Sequence, residues 1–376
     1  YWTGPNLDQE IDISQFPGTI FHEYSDALEG IPPKELAKEN FPPPGKDLID
    51  KLYEVESAVL TMMNKKYERL SVDERKHLYY HFVSYWHGAL KKFQPDAVIF
   101  PVVPHTVYDF IVYSMAKLLG IKTIFFMLTR IGDRIIVMDD FVLGSRFLKE
   151  QTELGGKQVS PDDLAPDIRE YYLNKIVSPA VLSLPDVQFQ QEQYSFKNLL
   201  FIKAGILKES LKSGNFCDKV FRFIKNRIGD NLKKEYQRLQ IKPDFNRKFI
   251  YAPLNYQPES TTSPLGGRFV DQLLMLEILA ASIPDDWHIY VKEYPLQWKP
   301  RGISYSDYRY RGYYTAISKM KNTHLVPLDA NTYDLIDKSQ AVATVNSTAG
   351  WEAALRFKPS LVFGYPWYRH CPGDFH

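Results

Sequence analysis

The chain reads as an α/β protein with two doubly wound parallel sheets and a helical section between them, and three observations predict it. Apolar runs of strand length alternate with helical patterns twice, once before residue 146 and again after residue 247. The section between is polar and helical in pattern. Three loops of small or polar residues each follow a strand of the second half, where an open sheet gathers its ligand contacts. At 376 residues the chain also suits two cores better than one. The expected division is 1–245, with the helical section, and 246–376.

Residues 1–44 are rich in Pro, Gly and acids with little periodicity, which predicts irregular structure over a domain. Asp47 to Lys66 carries Leu48, Leu52, Val55, Val59 and Met62 at helical spacing, and Ser71 to Phe93 repeats the pattern. The first clear strand is Ala97 to Pro101. A helix from Tyr108 to Leu119, closed by Gly120, and a strand from Ile121 to Met127 complete one βαβ unit. Consecutive Ile135, Ile136 and Val137 predict a further strand over Arg134 to Met138. Phe147 to Phe245 is mostly helical, with a break at Ser178 to Asp186. The rhythm then restarts: strands at Lys248–Leu254, His288–Lys292 and His324–Leu328 alternate with helices at Gly267–Ala281, Tyr313–Met320 and Thr332–Lys338.

Hydrophobic residues at 44% and charged residues at 24% are ordinary globular values and argue against disorder. A net charge of +1 leaves no basic field for a polyanion, so nucleic acid is excluded as a partner. The cluster Lys219, Arg222, Lys225, Arg227, Lys233 and Lys234 suits anionic lipid or an acidic glycan, or else a solvated helix face. Cys217 and Cys371 match no metal or redox spacing, and no apolar run approaches the about 20 residues of a membrane span. A reducing cytoplasm is the expected compartment. The first residue is Tyr1 rather than Met, which leaves room for an opening strand ahead of it.

Ala341 to Gly364 is the stretch richest in chemical meaning. Ala341 to Val345 is a β-branched run, Asn346, Ser347, Thr348, Ala349 and Gly350 form a turn without bulk, and Trp351 to Arg356 begins a helix. Leu361 to Phe363 is the next strand. Such a layout aims unpaired amides and two hydroxyls at one anion; the plain alternative is a Ser-capped turn with no ligand. Two other loops should reach the same end of the sheet, Asn255 to Gly267 and Glu293 to Gln297. Within them Gln257 and Glu259 can read polar groups, and Thr261, Thr262, Ser263 and Gly266 are small donors beside a helix start. Lys292 can pair with a phosphate or simply lie exposed, and Glu352 can accept from a ribose hydroxyl or stabilise its helix N-terminus. In the first half, Asp139 and Asp140 follow a strand, with Asp133 as a competitor. His105, Arg130 and Arg134 are placed to hold a sugar or its carboxylate.

These residues resemble the capsule polysaccharide biosynthesis glycosyltransferases, in particular the bacterial Kdo and related nonulosonate transferases of GT-B architecture. That family surrounds the cytidine monophosphate of a CMP-sugar with a Gln-Pro motif, a His-Pro motif and a Ser/Thr pair. Gln257-Pro258 matches the first and Ser347-Thr348 the third, whereas the second is Tyr294-Pro295 in VKEYP. A phenol replaces an imidazole there, a neutral donor of longer reach. The resemblance implies two Rossmann-like domains facing a cleft. It implies a nucleotide-sugar co-substrate with no resident cofactor or metal, and a surface glycan or glycolipid acceptor handled at the cytoplasmic membrane face. It makes Asp140 the catalytic carboxylate, Asp139 its neighbour, and brings Glu23 toward the reacting sugar, although Phe141 stands where a Gly is expected. A transferase using UDP- or GDP-hexose, a nucleotide-sugar epimerase, and a non-catalytic glycan-binding component are the alternatives.

Overall fold

The computed structural model describes residues 1–5, 12–67, 69–129, 131–154, 159–177, 231–257, 262–295, 297–298 and 309–376. They form two compact units, Tyr1–Met127 with Ile136–Phe141, and Leu128–Ile135 with Val142–His376. Several expectations fall outside the described residues: the break at Ser178–Asp186, the basic residues from Lys219 to Arg227, Cys217, and the loop positions Arg130, Pro258, Glu259 and Thr261.

In the first unit, residues expected to be irregular form a small parallel pair, β1 (Trp2–Gly4) and β2 (Phe21–Glu23), followed by the helix Tyr24–Glu29. Strands of three residues carry too little alternation to stand out among Pro and Gly. The helix expected over Asp47 to Lys66 is instead two, Lys46–Lys51 and Tyr53–Met62, because Leu52 leaves helical geometry while burying its side chain. The helix Val72–Phe93 opens with a reciprocal capping box between Ser71 and Glu74 and closes on Gln94 in the left-handed region. Its inner stripe is Tyr79, Phe82, Val83, Trp86, Ala89 and Leu90, the three-four spacing of one helix face. Trp86 stacks on Tyr108 of the helix Val107–Leu118 at 5.9 Å between ring centroids.

That second helix is the crossover between β3 (Ala97–Phe100) and β4 (Lys122–Leu128), which pair in parallel from Ala97 opposite Lys122 to Phe100 opposite Phe125. β5 (Ile135–Met138) completes the three-stranded sheet. Thr129 N donates to Arg134 O at 3.2 Å and Thr123 Oγ1 to Asp139 O at 2.7 Å, so β5 runs back along β4.

The second unit is built on a six-stranded sheet of β6 (Phe249–Pro253), β7 (His288–Lys292), β8 (Thr323–Leu325), β9 (Ala341–Thr344), β10 (Ser360–Val362) and β11 (Asp374–Phe375). Every neighbouring pair is parallel, in the order β11-β10-β9-β6-β7-β8. β6 and β9 are buried along their whole length, as a parallel strand covered on both faces must be. Alternate residues divide between two cores. Ile250, Ala252, Ile289, Val291 and Ala343 pack with Tyr236, Leu276 and Ile317, whereas Phe249, Tyr251, Tyr290 and Val342 pack with Leu335, Ile336, Ala349 and Ala353. Helices Leu232–Leu239, Gln272–Ser282 and Tyr313–Lys319 thus cover one face, and Thr332–Lys338 and Thr348–Leu355 the other. The sheet is doubly wound.

The described ends of the helical section expected to belong with 1–245 divide differently. Tyr236 lies in the core of the second unit's sheet, and the helix Pro166–Val177 reaches that unit through Lys175, whose Nζ is 2.7 Å from Glu352 Oε1. The units therefore part near residue 141 rather than 245. Among the described residues no helix is long and apolar enough to cross a membrane.

Candidate functional site

From β6 the chain winds outward through β7 to β8, then returns to the other side of β6 for β9 and winds away through β10. The winding reverses between β6 and β9, and in open α/β sheets the crevice beyond the strand C-termini at such a point is where ligands bind. The loops leaving β6, β7 and β9 carry Asn255 to Gln257, Glu293 to Pro295, and Asn346 with Ser347, parts of the three segments the sequence singles out.

Across the reversal, Asn255 ties the two central strands together. Its Nδ2 donates to Asn346 Oδ1 at 2.8 Å, its Oδ1 accepts from Thr344 Oγ1 at 3.2 Å, and Ser347 N donates to Thr344 Oγ1 at 3.1 Å. Asn346 is buried, yet its Nδ2 has no hydrogen-bond partner. An unsatisfied buried donor costs about 1–3 kcal/mol, which an acceptor arriving at the site would recover.

Next to it the helix Thr348–Leu355 begins, one turn earlier than the pattern predicts, so Thr348, Ala349 and Gly350 belong to the helix and not to the turn. Ser347 is its N-cap: Oγ accepts from Ala349 N at 3.2 Å. That use consumes a lone pair and leaves the hydroxyl proton free to donate to an anion. Thr348 is exposed at the first helical position.

Gly350 has a packing role. A Cβ there would lie 2.4 Å from the Tyr368 hydroxyl and 2.7 Å from Ser360 Oγ, and the buried Tyr368 hydroxyl donates to Ser347 O at the helix start. Gly350→Ala is expected to cost about 1–3 kcal/mol in thermal or urea unfolding through overpacking. Adding Tyr368→Phe, which removes the nearest atom, should return part of the loss. A neutral Gly350→Ala would refute the contact.

The loop after β6 is held by three side chains, of which Gln272 and Arg309 carry no obvious sequence signal and Gln297 closes the singled-out segment after β7. Gln272 clasps the backbone of Asn255, Oε1 accepting from Asn255 N at 2.7 Å and Nε2 donating to Asn255 O at 3.0 Å. Gln297 does the same for Gln257, at 3.1 Å in both directions. The Gln257 side chain is itself engaged at both ends, Nε2 donating to Val270 O at 2.7 Å and Oε1 accepting from Arg309 Nη1. Its amide therefore braces the loop instead of standing free to read a ligand, contrary to the expectation for this residue.

Arg309 is the third, paired with Glu293 in the interior. Their side chains are 1% and 0% exposed, with Nε 3.0 Å from Oε2. Arg309 Nη2 also donates to Asn255 O at 2.9 Å, and Glu293 accepts from the Tyr314 hydroxyl and from Tyr294 N, both at 2.7 Å. One ion pair thus fixes the loops after β6 and β7. Tyr294, half-buried, lies with its ring 5.5 Å from that of Tyr256, and Pro295 beside it is exposed.

Two further expectations are corrected. Lys292 is buried, and its Nζ donates to Ala330 O at 2.6 Å and Thr332 Oγ1 at 2.9 Å, holding the entry to the helix Thr332–Lys338 instead of standing free for a phosphate. Burial pulls its pKa down to about 8, against the opposing charge of Asp329. The unfolded chain then binds more protons than the folded one above about pH 8, so this lysine makes stability rise with pH, by up to about 1.4 kcal/mol per unit. Lys292→Met is expected to abolish that rise in urea unfolding between about pH 7.5 and about pH 9.5; a parent-minus-variant difference flat across the window would contradict it. Glu352 is likewise buried against Lys175, their side chains 8% and 11% exposed, and is not presented to a ribose.

In the first unit, Asp140 follows β5 with its carboxylate 14% exposed and Oδ2 3.0 Å from Lys117 Nζ. Asp139 beside it is half-buried, and its carbonyl anchors β5 to Thr123. Asp133 is exposed in the turn between β4 and β5, and the neighbouring Arg134 guanidinium is engaged by Asp167. His105 Nδ1 donates to Val103 O at 2.8 Å, and Glu23 is half-buried at the end of β2. Among the described residues no group of three or more His, Cys, Asp or Glu side chains is placed to hold a metal ion.

Residues 260–373 match the family model described as capsule polysaccharide biosynthesis protein, a stretch shorter than half of the chain. A curated relative, the capsule polysaccharide modification protein LipA of Neisseria meningitidis serogroup B (strain ATCC BAA-335 / MC58), is 38% identical over 58 residues, 15% of this chain and only 8% of that protein. Among solved structures, the beta Kdo 2,4 transferase of Thermosulfurimonas dismutans KpsC aligns at 14% identity over 73% of this chain and 70% of that one, with a TM-score of 0.32. The beta Kdo 2,7 transferase of the same KpsC aligns at 17% identity over 42% and 51%, with a TM-score of 0.27. UDP-GlcNAc 2-epimerase from Methanocaldococcus jannaschii aligns at 11% identity over 81% and 72%, with a TM-score of 0.26.

Proposed function

We propose that the chain is a glycosyltransferase of capsule polysaccharide assembly that holds the phosphate of a nucleotide sugar at the winding reversal of its C-terminal sheet. One observation carries the reading: the buried, unpartnered Asn346 Nδ2 stands one residue before the Ser347-capped helix, at the crevice between β6 and β9. Amides at a helix start, a spare hydroxyl proton and an unsatisfied amide donor together suit a dianionic leaving group. The family match over residues 260–373 covers this segment and names the pathway.

In the proposed reaction the acceptor hydroxyl replaces the nucleotide at the anomeric carbon, and the C–O bond to phosphate breaks. The departing phosphate takes up negative charge where the donors above neutralise it. Asp140 is the proposed carboxylate, removing the acceptor proton in an inverting transfer or attacking the anomeric carbon in a retaining one. The favoured donor is a CMP-activated 2-keto-3-deoxy sugar acid, Kdo or another nonulosonic acid, and the acceptor a growing surface glycan or glycolipid. A second reading is favoured by Tyr294, where a phenol takes the place of the imidazole expected beside a CMP-sugar: a UDP- or GDP-hexose as donor.

Thermal unfolding with added nucleotides separates the two. A ligand at about 100 times its Kd stabilises by about 2.7 kcal/mol. CMP alone raising the transition supports the favoured donor, UDP or GDP the second reading, and no response to any of the three removes both.

A further inference from the structure

The helix Val72–Phe93 turns Tyr79, Phe82, Val83, Trp86 and Leu90 inward. At about 100° per residue, His77 and His81 stand about 160° and about 200° round the axis from Tyr79, so both lie on the face opposite the core, and both are exposed. Four residues apart on one face, they are neighbours. Their ring centroids are 4.5 Å apart with the planes at 86°, and the two Nε2 atoms are 3.0 Å apart.

That separation suits a single metal ion. Imidazole nitrogen binds a first-row divalent ion at about 2.0–2.1 Å, so two nitrogens at right angles around it are about 2.9 Å apart, and at the tetrahedral angle about 3.3 Å. The observed spacing matches the right angle, the geometry of a tetragonal Cu²⁺ or Ni²⁺ site. Among divalent first-row ions Cu²⁺ also forms the strongest complexes with such ligands.

The surroundings leave the pair available. Among the described residues each imidazole has the other as its polar partner and neither has a carboxylate. The cations next to them in sequence are engaged elsewhere: Arg75 donates to Tyr67 O at 3.0 Å and to Asn64 Oδ1 at 2.6 Å, and Lys76 Nζ is 3.0 Å from Glu56 Oε1. Asp73, exposed one turn earlier on the same stripe, adds negative charge to the approach without being placed as a third ligand. A hydrogen bond between two exposed rings contributes little in water, whereas an ion held by both replaces it with two coordinate bonds. The backbone is also fixed beforehand, by the capping box at Ser71 and Glu74 and by the buried inner stripe, so that only the two rings have to settle.

We propose that His77 and His81 chelate one divalent ion of tetragonal preference, Cu²⁺ foremost, on the outer face of this helix, with water in the remaining positions. Neither residue enters the proposed sugar transfer.

The test is calorimetry of the 376-residue protein, free of any histidine tag, with Cu²⁺, Ni²⁺, Zn²⁺ and Mg²⁺. Cu²⁺ is expected to bind at one site that His77→Gln and His81→Gln each weaken by about tenfold or more, because a lone imidazole is no chelate. Both substitutions fall at exposed positions of the helix. His87→Gln, at a half-buried position of the same helix, should keep the parent affinity. Electron paramagnetic resonance of the Cu²⁺ form should show coupling to two imidazole nitrogens, and Mg²⁺, which takes oxygen ligands, should not bind there. The absence of Cu²⁺ binding, parent affinity in either the His77 or the His81 variant, a loss in the His87 variant equal to theirs, or competition by Mg²⁺ overturns the proposal.

Discussion

Arg309→Leu is expected to destabilise the second unit by about 3–5 kcal/mol, the usual loss when one member of a buried ion pair is removed. Glu293 would be left fully buried with a carboxylate and no cation, because its remaining donors, the Tyr314 hydroxyl and Tyr294 N, are neutral. Arg309 also bonds Asn255 O and Gln257 Oε1 and lies 4.8 Å from the Tyr313 ring, so its loss frees the loop after β6 as well. Urea unfolding followed by tryptophan fluorescence reads the effect. Combining Arg309→Leu with Glu293→Met removes the stranded charge and should recover a substantial part of the stability. A single-variant loss below about 1 kcal/mol would mean that the pair contributes little beyond what neutral packing provides.

Asp140→Asn is expected to slow sugar transfer by about 10²–10⁴-fold, the range for losing a positioned acid–base group, while nucleotide affinity stays within about twofold. The split follows from where the groups sit in the sequence and fold. Asp140 follows β5 in the first unit, and the proposed phosphate donors belong to the second unit. Release of nucleotide from a panel of activated sugars gives the rate, and calorimetry with the free nucleotide gives the affinity. Transfer at the parent rate would take Asp140 out of the reaction and direct the same test to Asp133.

The second sheet was legible in the sequence because β6, β7 and β9 are buried apolar runs between helices with clear boundaries, and its chain reversal follows once the strands are placed. The loops that cluster at its C-terminal end were legible for the same reason. What the side chains do there was not. Gln257, Lys292 and Glu352 look like ligand contacts by residue type, but each is taken up by a partner distant in sequence: Arg309 and Val270, Ala330 and Thr332, and Lys175. Arg309 itself stands in a Tyr-rich stretch without periodicity, and nothing local marks it as an interior cation. Gly350 suggested a phosphate-binding turn and instead admits Tyr368. β1 and β2 are not legible because three-residue strands carry no usable period, and a polar helix such as Leu232–Leu239 gives no hint of which sheet its single buried ring, Tyr236, joins.

Hydrogen exchange of the whole chain with CMP, UDP or GDP added tests the proposed phosphate site most directly. Slowed exchange at 346–351, with a matching effect at 255–257 and with only one of the nucleotides, is the expected result. Unchanged exchange in both segments at saturating concentrations of all three, or protection confined to other parts of the chain, would contradict it.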